Sequence, residues 1–397
     1  MMANHDKWLY WHNRPEMMIF GALVRRFDCV WLPKLGYVVN DPLLARDILM
    51  HPVFSSNAPG AMGGLISPIV GEYGLFNMDG DDHRQFKRDL MKVLNPRYVE
   101  RIVQTTLPPL LNSLRERLQA GEVVDFVAFT QRMTTAIMLH LLGIDMANDH
   151  IDELAPAINE AVSSFTDMLE LNKIELSNDE LSWVRQQQTH VNHLLDAYGQ
   201  QRPDSLYCQL LTMGLTKAQA RGCLLTIISA GTETTNATLP RMLALLLDTA
   251  QFNLVRDNRA LLDNAIQEGI RVTSASPVII RAIEDDVTIG PYQFKRGRRA
   301  LLMVYNFMKS GKHLDNPFAF DIKREIPREM RHLSFGHGAH FCLGYPLAIR
   351  EIEMALETLF DLNGELVICK RGYPHGETFP GYRKLEIQLK GVHGAVR

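Results

Sequence analysis

Only five cysteines occur in 397 residues, Cys29, Cys208, Cys223, Cys342 and Cys369, and no two form a Cys-x-x-Cys pair. That scarcity excludes a disulfide scaffold and a zinc ribbon, and it points to a reducing compartment. An excess of charge of one sign is also missing. The 42 Lys+Arg against 45 Asp+Glu leave a formal charge of -3, which argues against a protein built mainly to bind nucleic acid. Long hydrophobic runs are absent as well. The most apolar interior stretches, Leu224–Ala230 and Leu243–Leu247, are far too short to cross a bilayer. The start, Met1-Met2-Ala3-Asn4-His5-Asp6-Lys7-Trp8, lacks the apolar core of a signal peptide or anchor. These absences predict a soluble cytoplasmic protein with neither a membrane nor nucleic acid as partner. No repeat, low-complexity tract or linker divides the chain, so 1–397 is read as a single domain.

What is present fits an ordinary folded globule. Hydrophobic residues make up 46% and charged residues 22%, and the length suffices to bury a large core around a sizeable cofactor. Apolar residues at helical steps predict helices over Asp82–Val93, Val99–Leu118, Asn148–Met168, Glu180–Tyr198, Leu261–Arg271 and Pro346–Leu356. The stretch Thr216–Leu247 is long and mostly apolar, which makes it the central helix. Strands are fewer. Val30–Leu32 and Tyr37–Val39 flank a Pro33–Gly36 turn, and Val278–Ile283, Val287–Ile289 and Ala300–Tyr305 form a second small β region. Asn57–Asp82, dense in Gly and Pro, reads as a long loop of the kind that covers a pocket. The fold class is therefore mainly α with a small β region.

The most informative run is Leu333-Ser334-Phe335-Gly336-His337-Gly338-Ala339-His340-Phe341-Cys342-Leu343-Gly344, followed by a helical pattern. Glycines let backbone approach a bulky partner closely. A loop feeding a helix start aims backbone N–H groups back at Cys342, which favours thiolate over thiol. A lone cysteine is most often a small buried hydrophobe. It cannot close a four-ligand zinc site, but a single thiolate can serve as the protein ligand of a haem iron.

Phe335, Gly338, His340, Cys342 and Gly344 stand in the pattern Phe-x-x-Gly-x-His-x-Cys-x-Gly, which resembles the haem-binding signature of cytochrome P450 enzymes. The resemblance extends along most of the chain. Ala230-Gly231-Thr232-Glu233-Thr234-Thr235 is similar to the small pair, acid and threonine of that family's central helix. Small Ala230 and Gly231 leave room for a ligand over that turn, and hydroxyl-to-backbone bonding at Thr234 can open the helix there. Glu268 and Arg271 share a helical face and resemble the family's Glu-x-x-Arg pair, with Arg324 in Phe320-Asp321-Ile322-Lys323-Arg324 as its third member.

What the resemblance implies is a bacterial-type P450 fold holding haem b. Cys342 would be the axial ligand, with Phe335 and Gly336 in its loop and Ala230 and Gly231 above the haem. Glu233 and Thr234 would deliver protons. His83, Lys87, Arg281 and His340 would meet the propionates; Lys87 stands where relatives carry Arg, keeping the charge but losing the bidentate fork.

The implied reaction uses O2 and two electrons to oxidise a small metabolite of secondary metabolism. The electrons would come from a separate ferredoxin or flavodoxin with its reductase, and Lys87, Arg88 and Lys92 could dock such an acidic partner. Apolar residues in Ser56–Phe76, Ala155–Leu171 and Pro277–Ile280 would line a mainly apolar pocket. Two departures stand out. Pro240 should kink the central helix or end its first part, and Tyr305–Asn316 lacks the Ala-Asn-Arg-Asp-Pro wording of bacterial relatives. Two other readings compete. A haem-binding sensor or carrier without turnover would not need Glu233 and Thr234. A Cys342–His340 hydrolase would need better spacing, an oxyanion hole and an orienting third residue.

Overall fold

The computed structural model describes residues 5–144, 155, 158–160, 162, 166, 173, 175–199 and 202–391. The first half is helical except at its edges. Helices α1 (His5–Asn13) and α2 (Pro15–Val24) precede the hairpin β1 (Cys29–Leu32) and β2 (Gly36–Val39). Then come α3 (Pro42–Met50), β3 (Phe54–Ser55), α4 (Met62–Val70), α5 (Gly80–Val93), α6 (Pro96–Gln119), β4 (Val124–Asp125) and α7 (Phe126–Leu142). The second half begins with α8 (Asn178–Tyr198), α9 (Leu206–Thr212), the long α10 (Lys217–Asp248), α11 (Phe252–Asp257) and α12 (Leu262–Thr273). Strands β5 (Ile279–Ile283), β6 (Val287–Ile289), β7 (Tyr292–Phe294) and β8 (Arg299–Leu302) lead to α13 (Val304–Phe307), α14 (Tyr345–Phe360), β9 (Glu365–Gly372) and β10 (Lys384–Lys390).

Local chemistry sets the helix starts. The Asn95 side chain accepts from the N–H groups of Arg97 and Tyr98, with Pro96 at the first helical position of α6. Capping boxes open α8 (Ser177 with Glu180) and α10 (Thr216 with Gln219). Gly143, at φ 87°, ends α7 in the left-handed conformation. Helix α10 buries residues around its whole circumference, Leu224, Ile228, Leu239, Leu243 and Leu246 among them, and belongs to the main hydrophobic cluster with α6, α7, α12 and α14. The larger sheet has the order β1-β2-β8-β5-β3, with β2 and β8 parallel and its other pairs antiparallel. It sets Arg281 on β5 opposite Ala300 on β8.

The predicted helices and strands occur within a few residues of their expected bounds, with three differences. The breaker-dense stretch 57–82 is not a plain loop, because it contains α4. Leu65, Ile66 and Val70 bury there against α10, so closely that a side chain on Gly222 would put Cβ 1.8 Å from the Val70 carbonyl. Packing of this kind outweighs the low helix propensity of Gly63, Gly64 and Pro68. Pro240 does not end the central helix, which runs unbroken from Lys217 to Asp248 with the proline buried. Residues 300–305 divide between β8 and the short α13. The helix expected over 148–168 and the pocket wall at 155–171 lie mostly outside the described residues. Among the described residues, no helix is long and apolar enough to cross a membrane.

Candidate active site

Cys342 sits between two short 3-10 turns, Leu333–Phe335 and Gly338–His340, and the start of α14. Its backbone N–H donates to the Phe335 carbonyl at 2.9 Å, which closes the loop on itself. Gly336 and Gly338 make this possible with φ of 78° and 65°, a backbone conformation that costs a residue with a Cβ. Phe335 and Tyr345 pack edge to face, ring centres 4.9 Å apart, and brace the loop from below. The N–H groups of Gly344 and Tyr345 hydrogen-bond the Cys342 sulfur. Burial pushes the thiol upward against those donors and the nearby Lys87 ammonium. A cation bonded to the sulfur would reverse that balance.

Lys87, expected at a propionate, reaches this loop. Its Nζ donates to the Ala339 carbonyl at 2.6 Å and to the Phe341 carbonyl, so one cation from α5 fastens the segment just before Cys342.

His83, His340 and Arg281 do come together. The imidazoles of His83 and His340 stack with centres 4.0 Å apart. Burial, with the charges of His340 and Lys87, lowers His83 to about 4, so it is neutral at pH 7. His340 is aimed by a residue with no sequence signal, Asp79, whose Oδ1 lies 2.9 Å from Nε2. The same carboxylate accepts from the Ser55 hydroxyl at 2.7 Å and from the N–H groups of Ser56 and Asn57, both at 3.0 Å. Burial opposes its ionisation, but these bonds and His340 hold it well below the usual carboxylate range. The Arg281 guanidinium is buried, and burial lowers it to about 10.

These residues fit a haem. Among the described residues, the hydrogen bond recorded for the Arg281 guanidinium goes to the adjacent Ile280 carbonyl, and His83 Nδ1 is buried without a partner. A buried cation and an orphan imidazole nitrogen in one cluster await anionic oxygens, which propionates supply. A solitary, half-buried thiol with two N–H groups on its sulfur is the matching donor set for one iron bond.

On α10, Ala230, Gly231, Glu233 and Thr234 are partly exposed while Thr232 and Thr235 are buried. Ala230, Gly231 and Thr234 therefore share one face. The Thr234 hydroxyl donates to the Ala230 carbonyl at 2.7 Å. The turn is tightened by that bond and stays helical, where an opened turn was expected. Behind it, Thr235 donates to Glu351 on α14 at 3.3 Å, and burial pushes the Glu351 carboxyl up to about 8. Nothing in the spacing of the sequence marks Glu351. The expected charge network is present: Arg271 grips both Glu268 oxygens at 2.6 and 2.8 Å, and Arg324 donates to Glu268 at 3.0 Å.

Two hollows flank the site. A cleft of about 820 Å³ is bordered by Met62, Pro277, Val278, Ile280, Phe379 and α2, but not by Ala230, Thr234 or Cys342. It runs along β5 as far as Ile280, the neighbour of Arg281. Against Gly338 and Phe341 lies a cationic depression with Arg46, Arg328, Arg331, His332 and His337.

A family model described as "Cytochrome P450" matches residues 26–252 and 255–362. The "Putative cytochrome P450 YjiB" of Bacillus subtilis is 24% identical over 314 residues, covering 77% of this chain and 76% of its own. The "2-hydroxy-5-methyl-1-naphthoate 7-hydroxylase" of Streptomyces carzinostaticus is 26% identical over 398 residues, covering 91% of each chain. The fold matches the crystal structure of P450BioI in complex with an acyl carrier protein ligated to hexadec-9Z-enoic acid. The TM-score is 0.80 at 20% identity, covering 95% of this chain and 99% of that one.

Proposed function

This chain belongs to the cytochrome P450 family, and from that premise we propose that its haem is held by Cys342 and that it oxidises a small, mainly apolar metabolite with electrons from a separate protein. The enzyme class is that of the family, a haem-thiolate monooxygenase. Haem, when bound, supplies the activation of O2 with two electrons; the rest is done by side chains and backbone. Cys342 offers the sulfur, and the Gly344 and Tyr345 N–H groups spread the charge of its thiolate. His83, Arg281 and His340, the last steered by Asp79, receive the propionates, while Lys87 fixes the loop. Phe335 and Gly336 would shape the loop that holds the haem, and small Ala230 would leave room over its turn of α10, whereas Gly231 lies against Met138 of α7, where a Cβ would come 2.8 Å from the methyl carbon.

Proton handling falls to Thr234 and Glu233. The Thr234 hydroxyl gives its own hydrogen to the Ala230 carbonyl, so the lone pairs on Oγ1 are left to accept from a water. A water held there stands where a proton is needed, and Glu233, one residue away and partly exposed, can replenish it. Electrons arrive from an acidic ferredoxin or flavodoxin with its reductase. The cationic depression at Arg46, Arg328 and Arg331 borders the Cys342 loop and suits such a partner better than Lys92, which pairs with Asp89 at 2.6 Å. The substrate class rests on the apolar wall of the approach cleft, Met62, Val278, Ile280 and Phe379. The hydroxylase name of the Streptomyces relative is consistent with an aromatic acid or similar metabolite.

The observation that carries this reading is the half-buried Cys342 sulfur with two N–H donors on it. Its test is spectroscopic. Reduced protein under carbon monoxide should show the strongly red-shifted Soret band of thiolate-bound haem, and Cys342→Ala should lose both the band and all monooxygenase activity. A wild-type protein that is fully haem-loaded and lacks the band refutes the assignment.

A further inference from the structure

Next to Pro240 stands a charge that neither haem ligation nor proton delivery uses. Arg241 is one of the largest fully buried side chains. Its Nε donates to Asp6 at 2.8 Å and another guanidinium nitrogen donates to the Pro380 carbonyl at 2.8 Å. One ion pair thus joins α1, α10 and the loop between β9 and β10. The same nine-residue helix holds that loop at two more places. Asn13, 3% exposed, accepts from the Gly376 N–H at 2.8 Å through its carbonyl. Its side chain pairs with the backbone of Glu377, accepting at 2.7 Å and donating at 2.8 Å. At the loop's beginning, the Tyr373 ring stacks on His12 with centres 4.5 Å apart, and its hydroxyl meets His5 Nδ1 at 3.0 Å.

The loop so held is a wall of the cleft that flanks the site. Thr378, Phe379 and Pro380 border the cleft together with Met62 and Ile280. At its other end Gly381 presses on α10: a Cβ there would lie 3.0 Å from the Ala237 Cα and 3.7 Å from the Asn236 carbonyl. Asn236 is four residues before Pro240, so its carbonyl has lost its helical donor. Ala237 is three residues beyond Thr234. The wall therefore runs from the mouth of the cleft to within a helical turn of the proposed proton-handling residue.

Resting on the monooxygenase reading, we propose that α1 sets the position of residues 373–381 and thereby the size of ligand admitted to the haem, with Asp6, Asn13 and Arg241 as positioning residues. A buried ion pair joined to four bonds with the loop backbone gives the loop one defined position. Freed from α1, it would move away from α10 and widen the passage.

The test uses the full-length haem-loaded protein and two azoles that bind the iron directly, imidazole and the much larger clotrimazole, with affinities read from the Soret shift. In Asn13→Ala and Asp6→Asn, imidazole should bind within about twofold of wild type. The ratio of the two affinities should move by about fivefold or more in favour of clotrimazole, the scale of a changed pocket contact. A ratio that stays within about twofold overturns the proposal, even if the variants melt earlier, because α1 is then only a strap. Azoles that shift in parallel overturn it too. Should Asp6→Asn fail to fold, Asn13→Ala decides, since it removes no charge. Failure of the monooxygenase reading shows elsewhere, as a wild-type protein without the carbon monoxide band.

Discussion

Around Cys342 most partners are neighbours in sequence. Its N–H reaches the Phe335 carbonyl, its sulfur takes N–H groups from Gly344 and Tyr345, and Arg271 grips Glu268 one turn away. Around the approach cleft the partners are remote: Asp6 meets Arg241 across 235 positions, and Asn13 meets Glu377 across 364. A site for an invariant chemical group can be written in short spacings, because the group imposes the same geometry wherever it binds. A passage for a particular ligand is assembled from whatever the fold brings to its rim. The two regions should therefore respond to substitution in different ways.

The largest effect is expected behind the haem loop. Glu268→Ala leaves Arg271 and Arg324 as buried cations without their carboxylate, which costs about 3–5 kcal/mol. Urea or thermal unfolding would measure it, and the expected result is little folded, haem-loaded protein. A stable Glu268→Ala protein would break the contrast, by showing that the region near Cys342 does not depend on its local network.

Next in size is a functional loss without a structural one. Thr234→Ala should keep the haem, the carbon monoxide band and the melting temperature. With a compound that gives a high-spin shift and a reconstituted electron donor, product per NADH should fall roughly tenfold and hydrogen peroxide should rise, the lower range for a lost proton relay. Thr235→Ala is the control. Its hydroxyl points to Glu351 rather than to the Ala230 carbonyl, so it should couple far better than Thr234→Ala. The opposite result would shift the proton-handling role by one residue.

The last effect vanishes at acid pH and concerns Glu351. In the folded protein its carboxyl titrates at about 8, against an ordinary value of 4.5, chiefly because it is buried. The folded state thus holds a proton that the unfolded chain releases. Its contribution to stability is whole below about pH 4.5 and drains away as the pH rises toward 8, at up to about 1.4 kcal/mol per pH unit. Glu351→Gln should remove that slope: melting temperatures of variant and wild type converge at low pH and separate in the variant's favour near pH 8. Parallel curves would show that the carboxyl is not held neutral.

How far the sequence discloses the molecule follows the same division. The Glu268–Arg271 pair and the shared face of Ala230, Gly231 and Thr234 were legible from residue type and spacing, while Cys342 as a ligand and Arg324 as the third member of the network followed from the resemblance. His83 and Arg281 followed from the resemblance, and the structure brings them together. Lys87 was legible as a cation near the site, but only the fold shows its ammonium on the Ala339 and Phe341 carbonyls. Asp79 and Glu351 carried no signal: one is an ordinary acid at the head of α5 that acquires its role from the hydrogen bonds of Ser55, Ser56, Asn57 and His340, the other an ordinary acid on a helix that acquires its role from burial. Helix α4 was hidden by its glycines, Gly63 and Gly64, which the close backbone of Ser56, Asn57, Ala58 and Phe76 requires, while Gly222 on α10 makes room for Val70. Pro240 misled in the opposite sense. A helix anchored on both sides of the proline by core residues such as Leu239 and Leu243 continues through it, since tertiary burial outweighs one missing hydrogen bond.

The pairing of Asn13 with Glu377 also fixes a moment in the life of each new chain. A ribosome adding about 5–20 residues per second emits the second partner roughly 20–70 s after the first. In that interval the first helix lacks the loop it holds, although Asp6 gains Arg241 well before the loop exists. The haem-binding segment around Cys342 is complete while the rim of the passage is still being made. In the order of synthesis, residues 373–381 follow the Cys342 loop and the helix that holds them leads it by more than 300 positions.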